Sequence, residues 1–191
     1  MASAALSQAD DESLLAAASR RHQAAFSELV GRYHRPVYRH VWRMTRGHAD
    51  SEDIAQEAFL KLWRDPGQVR DARAIKGWLM RVASNAAIDR TRKPRHSDIA
   101  EEAEIADPAA RTDRPLDRSE AAAAVDASVA ALPDRQRQAL SLVYFEGLSN
   151  IEAAEVMEIS VDAVESLLAR AKRGMKQKLA DRWRELLDGL A

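Results

Sequence analysis

"SNIEAAEVMEISVDAVESLLARAKR" runs from Ser149 to Arg173, and its reading decides the fold class. Ser149 and Glu152 have the S-x-x-E spacing of a capping box, which predicts a short helix to Met157. "EIS" (Glu158 to Ser160) then makes a tight turn, and Ser160 can cap a long last helix. Val164, Leu168, Ala171, Met175, Leu179 and Trp183 run down one side of that helix. Ala154 is small where the two helices cross, Ile159 plugs the turn, and Val164 packs the second helix back on the first. The pair therefore has helix-turn-helix spacing, a motif that places its second helix in the major groove of DNA. An ordinary helical hairpin shares that spacing. Glu158 stands where the turn commonly carries Gly, and a non-Gly residue at positive φ costs on the order of 1 kcal/mol.

The outward face of the last helix separates the two readings. With Val164 and Leu168 inward, it carries Ala163, Ser166, Leu167, Arg170 and Arg173, flanked by Lys172, Lys176 and Lys178. Ser160 and Val161 sit at the helix N-terminus, where backbone N–H groups can meet a phosphate. Glu165 can accept from a cytosine amino group, or form a salt bridge with Lys172 or a neighbouring Arg.

Working outward, the chain reads as all-α. Only 7 Gly and 6 Pro occur in 191 residues, and no stretch alternates apolar and polar residues with period two. Phe26, Leu29, Val30 and Tyr33 mark one helix, and Pro36 is expected to open the next, with Val37, Val41 and Met44 inward and Gly47 ending it. Asp50 is expected to cap "SEDIAQEAFLKLW", whose Ile54, Ala58, Phe59 and Leu62 face a core, and Pro66-Gly67 stops that helix. A loop of about eight residues leads to a helix from about Ile75 to Thr91, with Ile75, Leu79, Val82 and Ala86 buried. Near Leu116 another helix starts, with Val125, Val129 and Leu132 on one face. Pro133-Asp134 begins the next, with Leu140, Val143 and Tyr144 inward and Gly147 at its end.

Between these halves lies a linker. "RTRKPRH" holds four basic residues and "SDIAEEAEIAD" five acidic ones, punctuated by Pro94, Pro108 and Pro115. It has no continuous apolar stripe, so an extended or flexible segment is expected. The expected organisation is a domain over residues 1–95, a flexible acidic linker over 96–118 and a helix-turn-helix domain over 119–191.

Two further faces carry chemistry. Trp78, Arg81, Asn85, Asp89 and Arg92 form a stripe leading into the basic run, which suits single-stranded nucleic acid. The same stripe also fits a solvated face with a half-buried tryptophan. Asp53, Gln56 and Glu57 lie on adjacent turns beside Leu60 and Trp63, a docking surface for a basic partner or simply a solvated face.

Composition removes other classes. There is no cysteine, hence no disulfide, thiolate metal site or cysteine nucleophile. The five histidines form no HxxxH or HExxH pair, so no metal is expected. No acid, base and nucleophile cluster, and neither an enzyme nor a cofactor is expected. The formal net charge is −1, so nucleic-acid affinity must come from local clusters. No apolar run is long enough to span a bilayer, and the N-terminus turns acidic at Asp10, Asp11 and Glu12 without a basic n-region. A cytoplasmic protein without membrane insertion is expected.

Taken together, three blocks in order resemble an extracytoplasmic-function sigma factor of the bacterial housekeeping-sigma family. "DSEDIAQEAFLKLWR" resembles region 2.2, "AIKGWLMRVASNAAIDRTRK" regions 2.3 and 2.4, and "LPDRQRQALSLVYFEGLSNIEAAEVMEISVDAVESLLARAKRGMK" region 4. The resemblance implies a promoter-specificity subunit of RNA polymerase. It implies that Asp53, Gln56 and Glu57, with Leu60 and Trp63, bind the β′ clamp helices of the core enzyme, and that the β flap is a second dock. It implies −10 contacts by Trp78, Arg81, Asn85, Asp89 and Arg92. The loop Gln68 to Ala74, with Arg70 and Asp71, would capture a flipped base. It implies −35 contacts by Ser160, Val161, Ala163, Glu165, Ser166, Leu167, Arg170 and Arg173, and regulation by an anti-sigma factor. Many family members have a basic residue at the position of Glu165 and an arginine at that of Leu167. Leu79 stands where housekeeping members carry a second aromatic beside Trp78, which implies weaker melting. The rival readings are a mimic that sequesters an anti-sigma factor and a helix-turn-helix repressor.

Overall fold

The structure is a computed structural model that describes residues 6–92 and 116–188, with side chains over 6–90 and 122–180. The expected linker over 96–118 falls almost wholly outside the described residues. All regular structure among the described residues is helical.

The first helix, α1 (Asp11–Ser19), has no counterpart in the sequence reading. Asp10 caps it by accepting from the Ser13 N–H at 2.8 Å, and Leu14, Leu15 and Ala18 are buried. Arg32 ties it down, donating to Asp11 at 2.8 Å and to the Ala9 carbonyl at 2.7 Å, and the Tyr33 hydroxyl donates to the same Asp11.

Helix α2 (Gln23–Thr45) corrects an expectation, because Pro36 lies inside it and does not open a new helix. A mid-helix proline forfeits one hydrogen bond and costs about 3 kcal/mol. Leu29, Val37 and Val41 are fully buried on either side of it. Each such side chain contributes about 1.5–3 kcal/mol, so packing on both flanks outweighs the proline. The helix ends as expected, with Arg46 in the left-handed region and Gly47 at φ +80.

Helix α3 (Ser51–Arg64) buries Ile54, Ala55, Ala58, Phe59 and Leu62, but Asp50 stands before it without the expected side-chain cap, its carboxylate turned to Arg90 at 3.1 Å. Pro66 stops it and opens a 3-10 turn, and a second 3-10 turn (Ala72–Ala74) leads into α4 (Ile75–Arg92). The buried side of α4 is wider than its sequence stripe. Ile75, Trp78, Leu79, Met80, Ala83 and Ala87 are buried, while Val82 and Ala86 are only partly so. The helix is packed from two sides, by α2 and α3 and by a helix of the C-terminal half.

That half begins with α5 (Leu116–Ala130) and α6 (Asp134–Leu140), followed by a π turn over Ser141–Phe145. The π turn corrects the reading of this stretch. One extra residue in a helical turn rotates the side chains after it by roughly 100°. Leu142 is fully buried and Tyr144 is 54% exposed, under the Lys172 ammonium at 4.8 Å. The next pair is α7 (Asn150–Met157) and α8 (Val161–Asp188). Its capping box is present, with Ser149 N–H donating to Glu152 at 2.7 Å and Glu152 N–H to the Ser149 hydroxyl at 3.2 Å. Glu158 takes the left-handed cap at φ 55, as the turn requires. Ser160 caps α8 by accepting from the Ala163 N–H at 3.2 Å.

The two halves dock directly. One apolar core runs from Leu14 through α2, α3 and α4 into Leu142, Val156 and Val164. Polar groups line the boundary. His40 on α2 is fully buried, with Nε2 2.7 Å from the Ser84 hydroxyl and Nδ1 2.9 Å from the Ser141 hydroxyl. Glu146 faces Arg43 at 3.0 Å and Arg39 at 3.7 Å. Arg137 donates to the Met44 carbonyl at 3.1 Å.

Burial pushes the His40 imidazole down to about 3, and the nearby Arg43 cation acts in the same direction. The docked chain thus holds fewer protons than a chain whose His40 is in water at about 6.5. The stabilisation is complete above about pH 6.5 and declines as pH falls through the range between the two values. Between pH 6.5 and 5.5 the urea unfolding free energy should drop by about 1 kcal/mol more in the wild type than in His40→Gln. Identical pH slopes for the two chains would contradict this.

Candidate functional site

Three surfaces gather the chemistry. On α3, Asp53 and Gln56 are exposed and Glu57 is half-buried. Gln56 donates to Glu52 at 3.2 Å, and Glu57 pairs with Lys61 at 3.4 Å. Leu60, one turn on, is 51% exposed beside this polar row. Trp63 does less than its place in the row suggests. It is half-buried, tilted against Phe26 with ring centroids 4.8 Å apart and covered by Arg21 at 5.4 Å. Asp53, Gln56, Glu57 and Leu60 thus share one face, while Trp63 mainly anchors α3 to α2.

The second surface is α4 with the loop before it. Asn85 and Asp89 are exposed; Arg92 closes the helix, with its side chain outside the described residues. Trp78 is 7% exposed, so it packs the core and leaves only an edge for anything outside. Arg81 is half-buried and pairs with Glu158 of the other half at 3.9 Å. In the loop, Arg70 is exposed, and Asp71 is locked to Arg73 at 3.0 Å. The Arg73 side chain, then the Arg73 backbone N–H, hold the Asp71 carboxyl below its ordinary range. Arg70, Asp71, Arg73, Trp78 and Arg81 line a cleft of about 890 Å³ whose far wall is Glu152, Glu155 and Val156 of α7.

The third surface is the outer face of α8. Ser166, Arg170 and Arg173 are exposed, as the spacing predicts. Ala163 and Val161 are half-buried at the start of the helix. Two residues depart from the reading. Leu167 is half-buried and packs against the main core. It stands three residues after Val164, so it borders the inward stripe. Glu165 accepts from the Asn150 amide at 3.3 Å, in place of the expected pairing with Lys172 or an arginine of its own helix. Both unusual residues thus have structural partners.

Sequence reasoning did not find the boundary residues His40, Glu146 and Arg137. Partners such as His40 and Ser141 are 101 positions apart, and no spacing rule joins them.

Two family models match the chain. Sigma-70 region 2 matches residues 29–96, and Sigma-70, region 4 matches residues 122–175. The chain is 35% identical to the RNA polymerase sigma-H factor of Pseudomonas aeruginosa, across 94% of this chain and 99% of that protein. It is 30% identical to the ECF RNA polymerase sigma factor SigW of Bacillus subtilis, across 83% of this chain and 91% of that protein. The structure of CnrH in complex with the cytosolic domain of CnrY superposes with a TM-score of 0.68 at 26% identity, covering 90% of this chain and 97% of that one. The sigma factor RpoE of Bartonella quintana, solved with the anti-sigma factor NepR, shares the fold at a TM-score of 0.65 and 18% identity, over 81% of this chain and 96% of that one.

Proposed function

The chain belongs to the extracytoplasmic-function class of sigma-70 factors, and we propose that it docks on core RNA polymerase through α3 and reads promoters through α4 and α8. The observation that carries the dock is Leu60. A leucine half exposed on a charged face, next to Asp53, Gln56 and Glu57, has the composition of an apolar anchor with a polar rim. Acidic neighbours suit a basic clamp surface and steer it into register. On gel filtration the chain should co-elute with core polymerase; elution of the two apart would overturn the dock.

The −10 role falls to Asn85, Asp89 and Arg92 at the open end of α4, with Arg70 and Asp71 at the mouth of the cleft. Trp78 supports this surface from beneath. The −35 role falls to the α8 face, where Ser166 is placed for base edges and Arg170 and Arg173 for phosphates. Each phosphate contact adds about one unit to the salt slope of binding. Arg170→Ala and Arg173→Ala should each lower that slope by about one and weaken all −35 sequences alike. Filter binding over a salt series measures it, and unchanged slopes would remove the pair from the interface.

The partnering of Glu165 with Asn150 and of Leu167 with the core accounts for both departures from the family pattern without loss of the DNA face. The ground for a DNA-silent mimic is correspondingly reduced. An anti-sigma factor is the remaining proposed partner, by likeness to CnrH, whose structure holds the cytosolic domain of CnrY.

A further inference from the structure

Given the α3 dock above, on which this rests, we propose that Arg21 and Arg64 form a cationic end to that dock. It takes a carboxylate of the core enzyme beyond the basic clamp surface and fixes the direction in which α3 lies there. Arg21 follows α1 with φ 64, in the left-handed region that a residue with a β-carbon occupies under strain. The turn needs only that backbone. The Arg21 N–H donates to the Ala18 carbonyl at 2.9 Å and the His22 N–H to the Ala17 carbonyl at 3.1 Å, and glycine would serve both bonds. Strain held at one residue points to a task for its side chain.

That side chain reaches 42 positions along the sequence to the end of α3. It donates to the Trp63 carbonyl at 2.5 Å and to the Arg64 carbonyl at 3.3 Å, and its guanidinium carbon lies 5.4 Å from the Trp63 ring centre. Arg21 and Arg64 thus share one helix end, and both are exposed. Nearby charges are already engaged: Lys61 pairs with Glu57 at 3.4 Å, and Asp65 accepts from the Gln68 amide at 3.1 Å. Neither arginine has a carboxylate partner among the described residues. Arg64 alone would be an ordinary complement to the helix dipole. Arg21 comes from outside the helix, and two guanidinium groups in one place repel each other until an anion joins them.

The location is the dock. Trp63 and Arg64 stand three and four residues after Leu60, one helical turn along. The row is acidic at Asp53 and cationic at Arg64, about 16 Å away at 1.5 Å per residue. An all-acidic row fits a basic surface in either direction. A row of both signs fits in one, because reversal sets like charges together at each end. A carboxylate forks onto a guanidinium with two parallel hydrogen bonds, and arginine beside a half-buried indole is a frequent strong point of interfaces.

Fluorescence titration of core polymerase with the full chain, at about 0.1 M and about 0.5 M salt, tests the cationic end. Arg21→Gly keeps the left-handed turn without strain, and Arg64→Gln changes an exposed side chain. Each should weaken binding about tenfold at the lower salt with helicity unchanged by circular dichroism. The deficit should shrink to about threefold or less at the higher salt, because screening weakens a charge contact and not a packing defect. Binding within about threefold of wild type by either variant at the lower salt, or a deficit that does not change with salt, would overturn the cationic end. Asp53→Lys with Glu57→Lys, titrated alongside, separates this from the dock itself. If that variant alone loses the polymerase, only the cationic end falls; if it too binds like wild type, the dock falls with it.

Discussion

Asp53→Lys with Glu57→Lys should cut affinity for core polymerase at least about 100-fold, or roughly 2.7 kcal/mol. Asp53 is exposed, and the only ion pair Glu57 makes among the described residues is a solvent-facing one with Lys61 at 3.4 Å. Exposed pairs of this kind contribute about 0–1 kcal/mol to folding. Placing two positive charges against a basic clamp costs several kcal/mol. The variant should therefore keep its helicity and melting temperature while losing the polymerase. Fluorescence titration with core enzyme, alongside circular dichroism, separates the two. Binding within threefold of wild type in a folded variant would remove α3 from the interface.

Arg137→Ala should destabilise the chain by about 3–5 kcal/mol, the cost of truncating a large buried side chain and leaving the carbonyls it serves without a donor. Arg137 is 1% exposed and donates to the carbonyls of Ala130 at 3.1 Å, Leu132 at 2.9 Å and Met44 at 3.1 Å, besides Asp134 at 2.6 Å. Alanine leaves those carbonyls without a donor and opens a void beneath α6. Arg137→Lys should recover only part of the loss, because one ammonium cannot reproduce the planar fork. Urea unfolding reads both variants. A loss below about 1 kcal/mol for the alanine variant would mean that water substitutes freely at this boundary.

The sequence carried the helices whose side chains repeat with helical period and whose ends hold standard caps. The Ser149–Glu152 box, Ser160 and the Arg46–Gly47 stop all read correctly because a cap is a local event, settled within four residues. Pro36 misled because its local cost is set against burial on both flanks, which no window around it contains. Tyr144 misled because a π turn leaves no mark on spacing until the register has already changed. Of the interfaces, the α3 row was legible as one face. Leu167 was misplaced because a residue three after Val164 lies on the edge of the stripe, where neighbouring packing decides. The docking of the halves was not legible at all. His40 finds Ser141, and Glu146 finds Arg43, across 101 and 103 positions.

Run-off transcription with purified core polymerase on genomic promoter fragments tests the whole reading most directly. Core alone should give no specific start. Core with this chain should give discrete transcripts that vanish when either the −35 or the −10 element of the template is scrambled. Transcripts indifferent to both elements, or none from any fragment while the chain still binds core, would contradict promoter reading by α4 and α8.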